Sequence, residues 1–517
     1  MRRGGKGVPV SGSEIGFTIS DSTTELVRFL IRENAQIRRW EYVTIPQGDK
    51  SILARIEKII SRSELIGEGL DFESLGKYVE NAITYNSVIC LARVVGVYSE
   101  GRLEPSRDII LPGSPVERAS SSILESVFSF PADEALNIGF LSGREDVRVS
   151  VSIRGMMRHL AILAQTGAGK SHTAAVLMEE LLKKGASIVV LDPHADYVLM
   201  RQSSEAFRYR DFIQIYRTQL STGRYDAFQK GIVKEFTLRF SDLDPDDLAE
   251  IMDVREGWTN LRKAIAEAYE SMNGAKDFED FHRAVKSLDS DENRHLLARI
   301  RLLGKVKNIF GDRTTTMDEY LRPGHMTVLD LTGMDQFLAN YFSYRILREI
   351  YQSKIEGRND LPVFVFVEEA HNFVPPGSNT LISQMIKRIA SEGRKFGLFL
   401  VVITQRPGKI DQDVLSQCNS EIVLRVTNPI DQRAILESGE EISQWVIDDL
   451  PSLSTGEAIL VGPFVKMAVS IKVRPRETRE GGGDIDILNL LSKAKAERDS
   501  LDDPKELRGK ISRFLED

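Results

Sequence analysis

A short apolar strand, Ala161 to Leu163, runs into Ala164-Gln165-Thr166-Gly167-Ala168-Gly169-Lys170-Ser171, and a helix-patterned stretch from Gly169 to Lys184 follows. Strand, glycine-bearing loop, Lys-Ser and helix in that order make a phosphate-binding loop. The glycines let backbone N–H groups wrap phosphate oxygens, and the helix N-terminus adds its positive end. Lys170 then reaches the β and γ phosphates, and the Ser171 hydroxyl holds Mg²⁺. Ala164 stands where the pattern has its first glycine, a departure that constrains the turn and bears on nucleotide affinity. The expected cofactors are ATP and Mg²⁺, held along Thr166, Gly167, Ala168, Gly169, Lys170, Ser171 and His172.

Around this loop the chain alternates strand and helix, the βαβ rhythm of a parallel sheet. Ser187 to Leu191 ends at Asp192-Pro193, and further strands are expected at Thr327 to Leu331, Val363 to Val367, Leu398 to Ile403, Glu421 to Val426, Glu457 to Val461 and Met467 to Val473. Their apolar runs are continuous, as for strands covered by helices on both faces. Ser241-Asp242 and Asp244-Pro245 open a helical insertion that closes with Leu296, Ile300 and Leu303 at helical spacing. Before the sheet, Ile15 to Ile19, Tyr42 to Ile45, Ile52 to Ile59 and Val88 to Tyr98 read as strands of a small barrel or sandwich. Leu111-Pro112-Gly113-Ser114-Pro115 closes that unit or crosses to the next. Past Arg474, the stripes Ile487, Leu491, Ala494 and Leu507, Ile511, Phe514, Leu515 mark two amphipathic helices. They either brace a neighbouring subunit or pack on their own domain.

The expected fold is α/β: a P-loop ATPase core with a parallel-type sheet. Its units are an N-terminal β-barrel over 1–118, a core over 140–240 and 311–474, an insertion over 241–310 and a C-terminal brace over 475–517. Two cysteines, Cys90 and Cys418, are too few for a disulfide framework or a thiolate metal site. No apolar run reaches bilayer-spanning length and the basic start lacks an apolar signal core, so a cytoplasmic protein without membrane attachment is expected. A net charge of −8 excludes a protein coated with positive charge. It leaves room for a ring with a basic channel.

A nucleotide site needs acids, and Val363-Phe364-Val365-Phe366-Val367-Glu368-Glu369 supplies two after a buried-type strand. Glu368 would orient Mg²⁺ through water, and Glu369 would polarise the attacking water. Asp192 stands where open α/β sheets place ligand groups; it either assists metal or water or closes an Asp-Pro turn. Gln405, in Thr404-Gln405-Arg406-Pro407, is a candidate γ-phosphate sensor. Arg394 ends the helix after the acids, either as an arginine finger toward a neighbour's γ-phosphate or as a cation at a helix C-terminus. Arg158, just before the first strand, is a second arginine of this kind, a nucleotide contact or an ordinary surface residue.

Together these segments, with Met157-Arg158-His159-Leu160-Ala161-Ile162, Asp192-Pro193-His194, Glu368-Glu369-Ala370-His371 and Glu392-Gly393-Arg394-Lys395-Phe396-Gly397, resemble the HerA-type hexameric DNA translocases, relatives of the FtsK motor among the RecA-like ATPases. The resemblance implies a homohexamer that threads double-stranded DNA through its channel on ATP hydrolysis and works with a NurA-type nuclease in DNA end processing. It puts Lys170, Ser171, Glu368, Glu369 and Gln405 in cis and Arg394 in trans. The alternatives are a nucleotide-switched ring that assembles and stimulates a nuclease, and a conjugation-type transport ATPase. Candidate DNA contacts are Lys387, Arg388, and the interleaved Arg208, Tyr209, Arg210, Tyr216, Arg217, Arg224 and Tyr225.

Overall fold

The computed structural model describes residues 13–501 apart from 33–34, 64–85, 203–206, 223–231, 256, 274–275, 289–292, 306, 440–441 and 482–486. Seven strands form the N-terminal unit: β1 (Glu14–Thr18), β2 (Leu26–Ile31), β3 (Tyr42–Gln47), β4 (Lys50–Ser63), β5 (Asn86–Ser99), β6 (Arg102–Glu104) and β7 (Pro115–Arg118). Their order is β2-β1-β7-β3-β4-β5-β6, and pairing of β2 with β5 closes the first six into a barrel. The Pro112-Gly113 turn lies inside this barrel, because β7 starts at Pro115 and pairs with both β1 and β3. Val27, Phe29, Val43, Ile45, Ile52, Ala54 and Cys90 fill the interior.

The barrel is tied to the second unit by an aromatic and ionic seam. Trp40 Nε1 donates to Asp449 Oδ2 at 2.9 Å, and Arg39 pairs with the same carboxylate at 2.7 Å. The Arg55 guanidinium lies over Trp40 and Trp445, 4.5 and 4.1 Å from their ring centroids.

Twelve strands build the second sheet: β8 (Ala135–Leu141), β9 (Arg144–Ser152), β10 (Leu160–Leu163), β11 (Ser187–Asp192), β12 (Ile213–Arg217), β13 (Val233–Glu235), β14 (Met326–Asp330), β15 (Val363–Val367), β16 (Leu398–Thr404), β17 (Ser420–Val423), β18 (Glu457–Val461) and β19 (Val469–Val473). They lie in the order β13-β12-β14-β11-β15-β16-β10-β17-β18-β19-β8-β9. From β13 to β17 every pairing is parallel, but β17 to β9 is an antiparallel wing. The sheet is therefore mixed rather than wholly parallel. Continuous apolar runs report burial on both faces and carry no information on strand direction.

Alternate residues of β15 show how the layers form. Val363, Val365 and Val367 join the core under the helices Gln336–Ile355 and Leu381–Glu392, whereas Phe364 and Phe366 join the core under the helix Lys170–Lys183. The insertion consists of the helices Pro245–Ile251, Thr259–Glu270, Phe278–Ser287 and Asn293–Lys305. Asp244 caps the first with a capping box to Asp247, and Pro245 occupies the first turn. Leu296, Ile300 and Leu303 are buried in the same core as the helix Gln336–Ile355.

A helix spans Ile487–Leu501. Leu488, Leu490 and Leu491 are 74%, 52% and 58% exposed, and Ala494 is exposed too, so the described stripe residues Leu491 and Ala494 are not buried on their own domain. Leu507, Ile511, Phe514 and Leu515 lie outside the described residues, as does the Ile487 side chain. No helix among the described residues is long and apolar enough to cross a membrane.

Candidate nucleotide site

All eight parallel strands point the same way, so one edge of the sheet collects the loops that follow them. Four of those loops meet beside β10. The phosphate-loop segment leaves β10, the turn 192–197 leaves β11, Glu368-Glu369 leaves β15 and Gln405 leaves β16. Gly167 and Gly169 have φ of +75° and +103°, conformations open to glycine and strained for other residues. Ala164 has no positive φ and its methyl is buried in the core, so alanine fits the position without strain.

Buried Lys170 donates to Glu368 Oε1, and its ammonium is 3.0 Å from Glu369 Oε1. His371 Nδ1 lies 3.2 Å from Glu369 Oε2 and 3.0 Å from the Thr404 hydroxyl. Burial alone would raise the Glu369 pKa, but His371 and Lys170 together hold it down to about 2. Glu369 is also one of the few non-glycine residues with a positive φ, +49°. Such strain at a charged strand end marks a position whose side-chain direction matters. Thr166 donates its hydroxyl to Gln405 Oε1, which ties the β16 loop to the phosphate loop.

The turn after β11 supplies two groups that sequence reasoning missed. Ser171 donates its hydroxyl to Asp196 Oδ2 at 2.6 Å, and the Tyr197 hydroxyl donates to Glu368 Oε2 at 2.5 Å. Asp192 itself is fully buried, its Oδ1 accepting from the amides of His194 and Asp196 and its Oδ2 from that of Tyr197. Burial, reinforced by the Asp196 charge, pushes its pKa up to about 7 against the pull of those amides. Asp192 therefore builds the turn, and Asp196 is the acid facing Ser171. A carboxylate followed at short range by amides it can cap was the available signal.

Other expected site residues are not in the cradle. His172 turns its Nε2 to the Arg474 carbonyl at 2.9 Å, so its imidazole faces the end of β19. Arg158 precedes β10 and Arg394 precedes β16, which puts both on the opposite edge of the sheet. The seven residues of β16 separate Arg394 from Gln405 by roughly 20 Å at about 3.3 Å per residue. Arg158 is exposed there, at the start of the four-residue strand β10 whose other end leads into the phosphate loop. Between the two arginines lies buried His159, whose Nδ1 accepts the Leu400 amide at 2.9 Å. Burial, helped by the Arg394 charge, pushes its pKa down to about 4.

Of the basic and aromatic residues considered for DNA, Tyr216 is buried in β12 and bonds the Glu319 carbonyl at 2.9 Å. It is a core residue. Lys387 pairs with Asp411 at 2.7 Å and Arg388 lies over Tyr351, while Arg208 is exposed; Arg224 and Tyr225 lie outside the described residues.

Among the described residues no group of three or more His, Cys, Asp or Glu forms a metal cage. The donors at hand, the Ser171 hydroxyl and the Asp196 and Glu368 carboxylates, are hard oxygens. They suit Mg²⁺, which takes one or two carboxylates and fills its shell with phosphate oxygens and water.

The sequence profile described as "Helicase HerA, central domain" matches residues 136–350. The chain is 30% identical to a probable helicase of Methanocaldococcus jannaschii, over 95% of this chain and 97% of that protein. The chain belongs to the HerA helicase family. It is 28% identical to the DNA double-strand break repair helicase HerA of Sulfurisphaera tokodaii and 27% identical to that of Pyrococcus furiosus, in each case over 93% of this chain and 97% of the relative. In fold, the chain is similar to the plasmid coupling protein TrwB in complex with ADP and Mg²⁺, with a TM-score of 0.50 and 14% identity over 70% of this chain and 93% of that one. HerA-family membership and this P-loop ATPase fold agree with the strand-end cluster around Lys170.

Proposed function

We propose that this ATP-hydrolysing DNA helicase of the HerA family works as a homohexameric ring that pumps duplex DNA through its channel and passes DNA ends to a NurA-type nuclease, for recombinational repair in the cytoplasm. One observation supports the ring above all. Lys170, Glu368 and Glu369 gather at one edge of the sheet, while Arg158 and Arg394 stand at the other. Arginines set at the opposite edge of the sheet from their own phosphate loop suit the loop of an adjacent subunit.

On this reading ATP draws Lys170 away from the two glutamates and onto its β and γ phosphates. Glu369 then loses a cation that suppresses its proton affinity and becomes a better base toward the attacking water. Ser171 and Glu368 would hold Mg²⁺, which supplies neutralising charge at the phosphate oxygens. Gln405, bonded to Thr166, senses the γ-phosphate from the β16 loop. Arg394 of the adjacent subunit neutralises charge that develops in the transition state.

The test is ATP turnover with and without linear duplex DNA at low and high salt, beside Lys170→Ala, with sedimentation velocity for ring size. The expected result is a hexamer whose turnover rises with DNA, loses that stimulation as salt rises, and vanishes in the variant. Turnover indifferent to DNA, with or without the nuclease, would overturn the motor and favour a nucleotide-switched platform. A monomer at working concentration would overturn the ring.

A further inference from the structure

Glu368 is fully buried and has two partners of different kinds. The Lys170 ammonium meets Oε1, and the Tyr197 hydroxyl donates to Oε2 at 2.5 Å. The first partner is mobile in the proposed cycle, because Lys170 must reach phosphate. The second is not: Tyr197 is itself fully buried, and its backbone amide is bonded to Asp192 Oδ2 at 3.0 Å. The same Asp192 carboxylate takes the Asp196 amide at 3.1 Å, and Asp196 in turn accepts the Ser171 hydroxyl. One buried carboxylate thus fixes a turn whose two side chains reach Ser171 and Glu368.

We propose that Tyr197 is a positioning residue for ATP hydrolysis, holding Glu368 correctly aimed after Lys170 has left it for phosphate, with Asp192 as the anchor of the turn. The physical need is specific. A buried carboxylate that loses its cation tends to rotate toward another donor. A hydroxyl that donates to it fixes one oxygen, leaving Oε1 free to face the metal side. Tyrosine suits this because its ring is locked by packing and its donor sits at the end of a rigid arm. The inference rests on the reading of Lys170 and Glu368 as nucleotide-site residues.

The molecule contains its own control. Tyr320 is also buried and donates its hydroxyl to a glutamate, Glu349 Oε2, at the same 2.5 Å. Its partner lies on the helix Gln336–Ile355, outside the nucleotide cluster. Tyr197→Phe and Tyr320→Phe therefore remove the same hydroxyl from a bond to a glutamate, fully buried in the first case and part-exposed in the second. Three readouts on the full chain decide the matter: steady-state ATP turnover, binding of a slowly hydrolysed fluorescent ATP analogue, and thermal melting. Tyr197→Phe is expected to lower kcat about 10- to 100-fold with less than about a twofold change in analogue affinity. Tyr320→Phe is expected to melt lower by a similar amount yet keep kcat.

Equal kcat loss in the two variants, or none in Tyr197→Phe, would overturn the positioning role and leave Tyr197 a packing residue. If Lys170→Ala also kept full turnover and analogue binding, the nucleotide-site reading itself would fall. If only Tyr197→Phe did so, that reading would stand and this inference alone would fail. Should Tyr197→Phe prove unstable, Asp192→Asn gives a second route. The one oxygen of asparagine can accept from only part of that amide set while its NH2 group faces the rest, which loosens the turn, and a kcat loss at unchanged affinity would again be expected.

Discussion

The two edges of the parallel sheet carry opposite kinds of charge arrangement. At the edge where strands end, every ionic group of the cluster has a partner: Lys170 with both glutamates, Glu369 with His371, Ser171 with Asp196. At the edge where strands begin, Arg394 and Arg158 are exposed around a neutral, buried His159. The first edge is closed on itself and must be opened by a ligand. The second is a pair of cations on a packed platform, directed away from its own chain's phosphate loop. In the proposed ring this contrast would divide the nucleotide site between copies, with chemistry on one edge and charge neutralisation on the other.

The largest break of that contrast is Arg394→Ala. We expect kcat for ATP to fall about 10²- to 10³-fold with the chain's own nucleotide binding retained. Mixing these subunits with Lys170→Ala subunits should restore part of the turnover, because some interfaces then combine an intact loop with an intact arginine. Failure of complementation, with hexamers still forming, would mean that Arg394 acts within its own chain or not at all.

A smaller effect is expected on the opposite edge from Gly169→Ala. The residue has φ of +103°, and a Cβ there would lie 3.4 Å from Gly456. Strain of about 1–3 kcal/mol should loosen the cradle and weaken ATP-analogue binding by about 10-fold, the equivalent of roughly 1.4 kcal/mol. Unchanged affinity by titration would show that the loop tolerates a side chain at this point.

The smallest effect separates the edges by pH. Glu369 keeps its charge down to about pH 2, whereas Asp192 at the same edge takes up its proton near neutrality. His159 differs, because its folded-state pKa of about 4 lies below the unfolded value. Below the unfolded pKa the unfolded chain binds a proton that the folded chain refuses. Its contribution to stability is therefore whole above about pH 6.5 and is lost as pH falls toward about 4. His159→Gln should flatten the fall in melting temperature between those limits by the equivalent of about 1–3 kcal/mol. Parallel melting curves for the two proteins would remove His159 as the titrating group.

Much of the cluster was legible because its signals are local. The glycine spacing before Lys170-Ser171 demands positive φ at Gly167 and Gly169, and Val363 to Val367 cannot be other than a strand buried on both faces, with Glu368-Glu369 at its end. Less legible was anything that depends on which strands become neighbours. Asp192 reads from its position at a strand end as either a ligand group or an Asp-Pro turn residue, and the three backbone amides it accepts decide for the turn. His172 stands two residues from Lys170, but one further step along the helix turns it to the Arg474 carbonyl.

By itself, then, the sequence determined the phosphate loop, the acid pair, the insertion between sheet strands and the membership of this chain in the HerA helicase family. Those properties reside in short-range spacing, backbone conformation and burial, which a linear pattern encodes. Tertiary structure alone decided the antiparallel wing, the exposure of the helix Ile487–Leu501, the bond from Tyr197 to Glu368 and the placement of Arg158 and Arg394 on the far edge. The bond from Tyr197 to Glu368 and the pairing of β19 with β8 join residues more than a hundred positions apart, contacts that only packing decides.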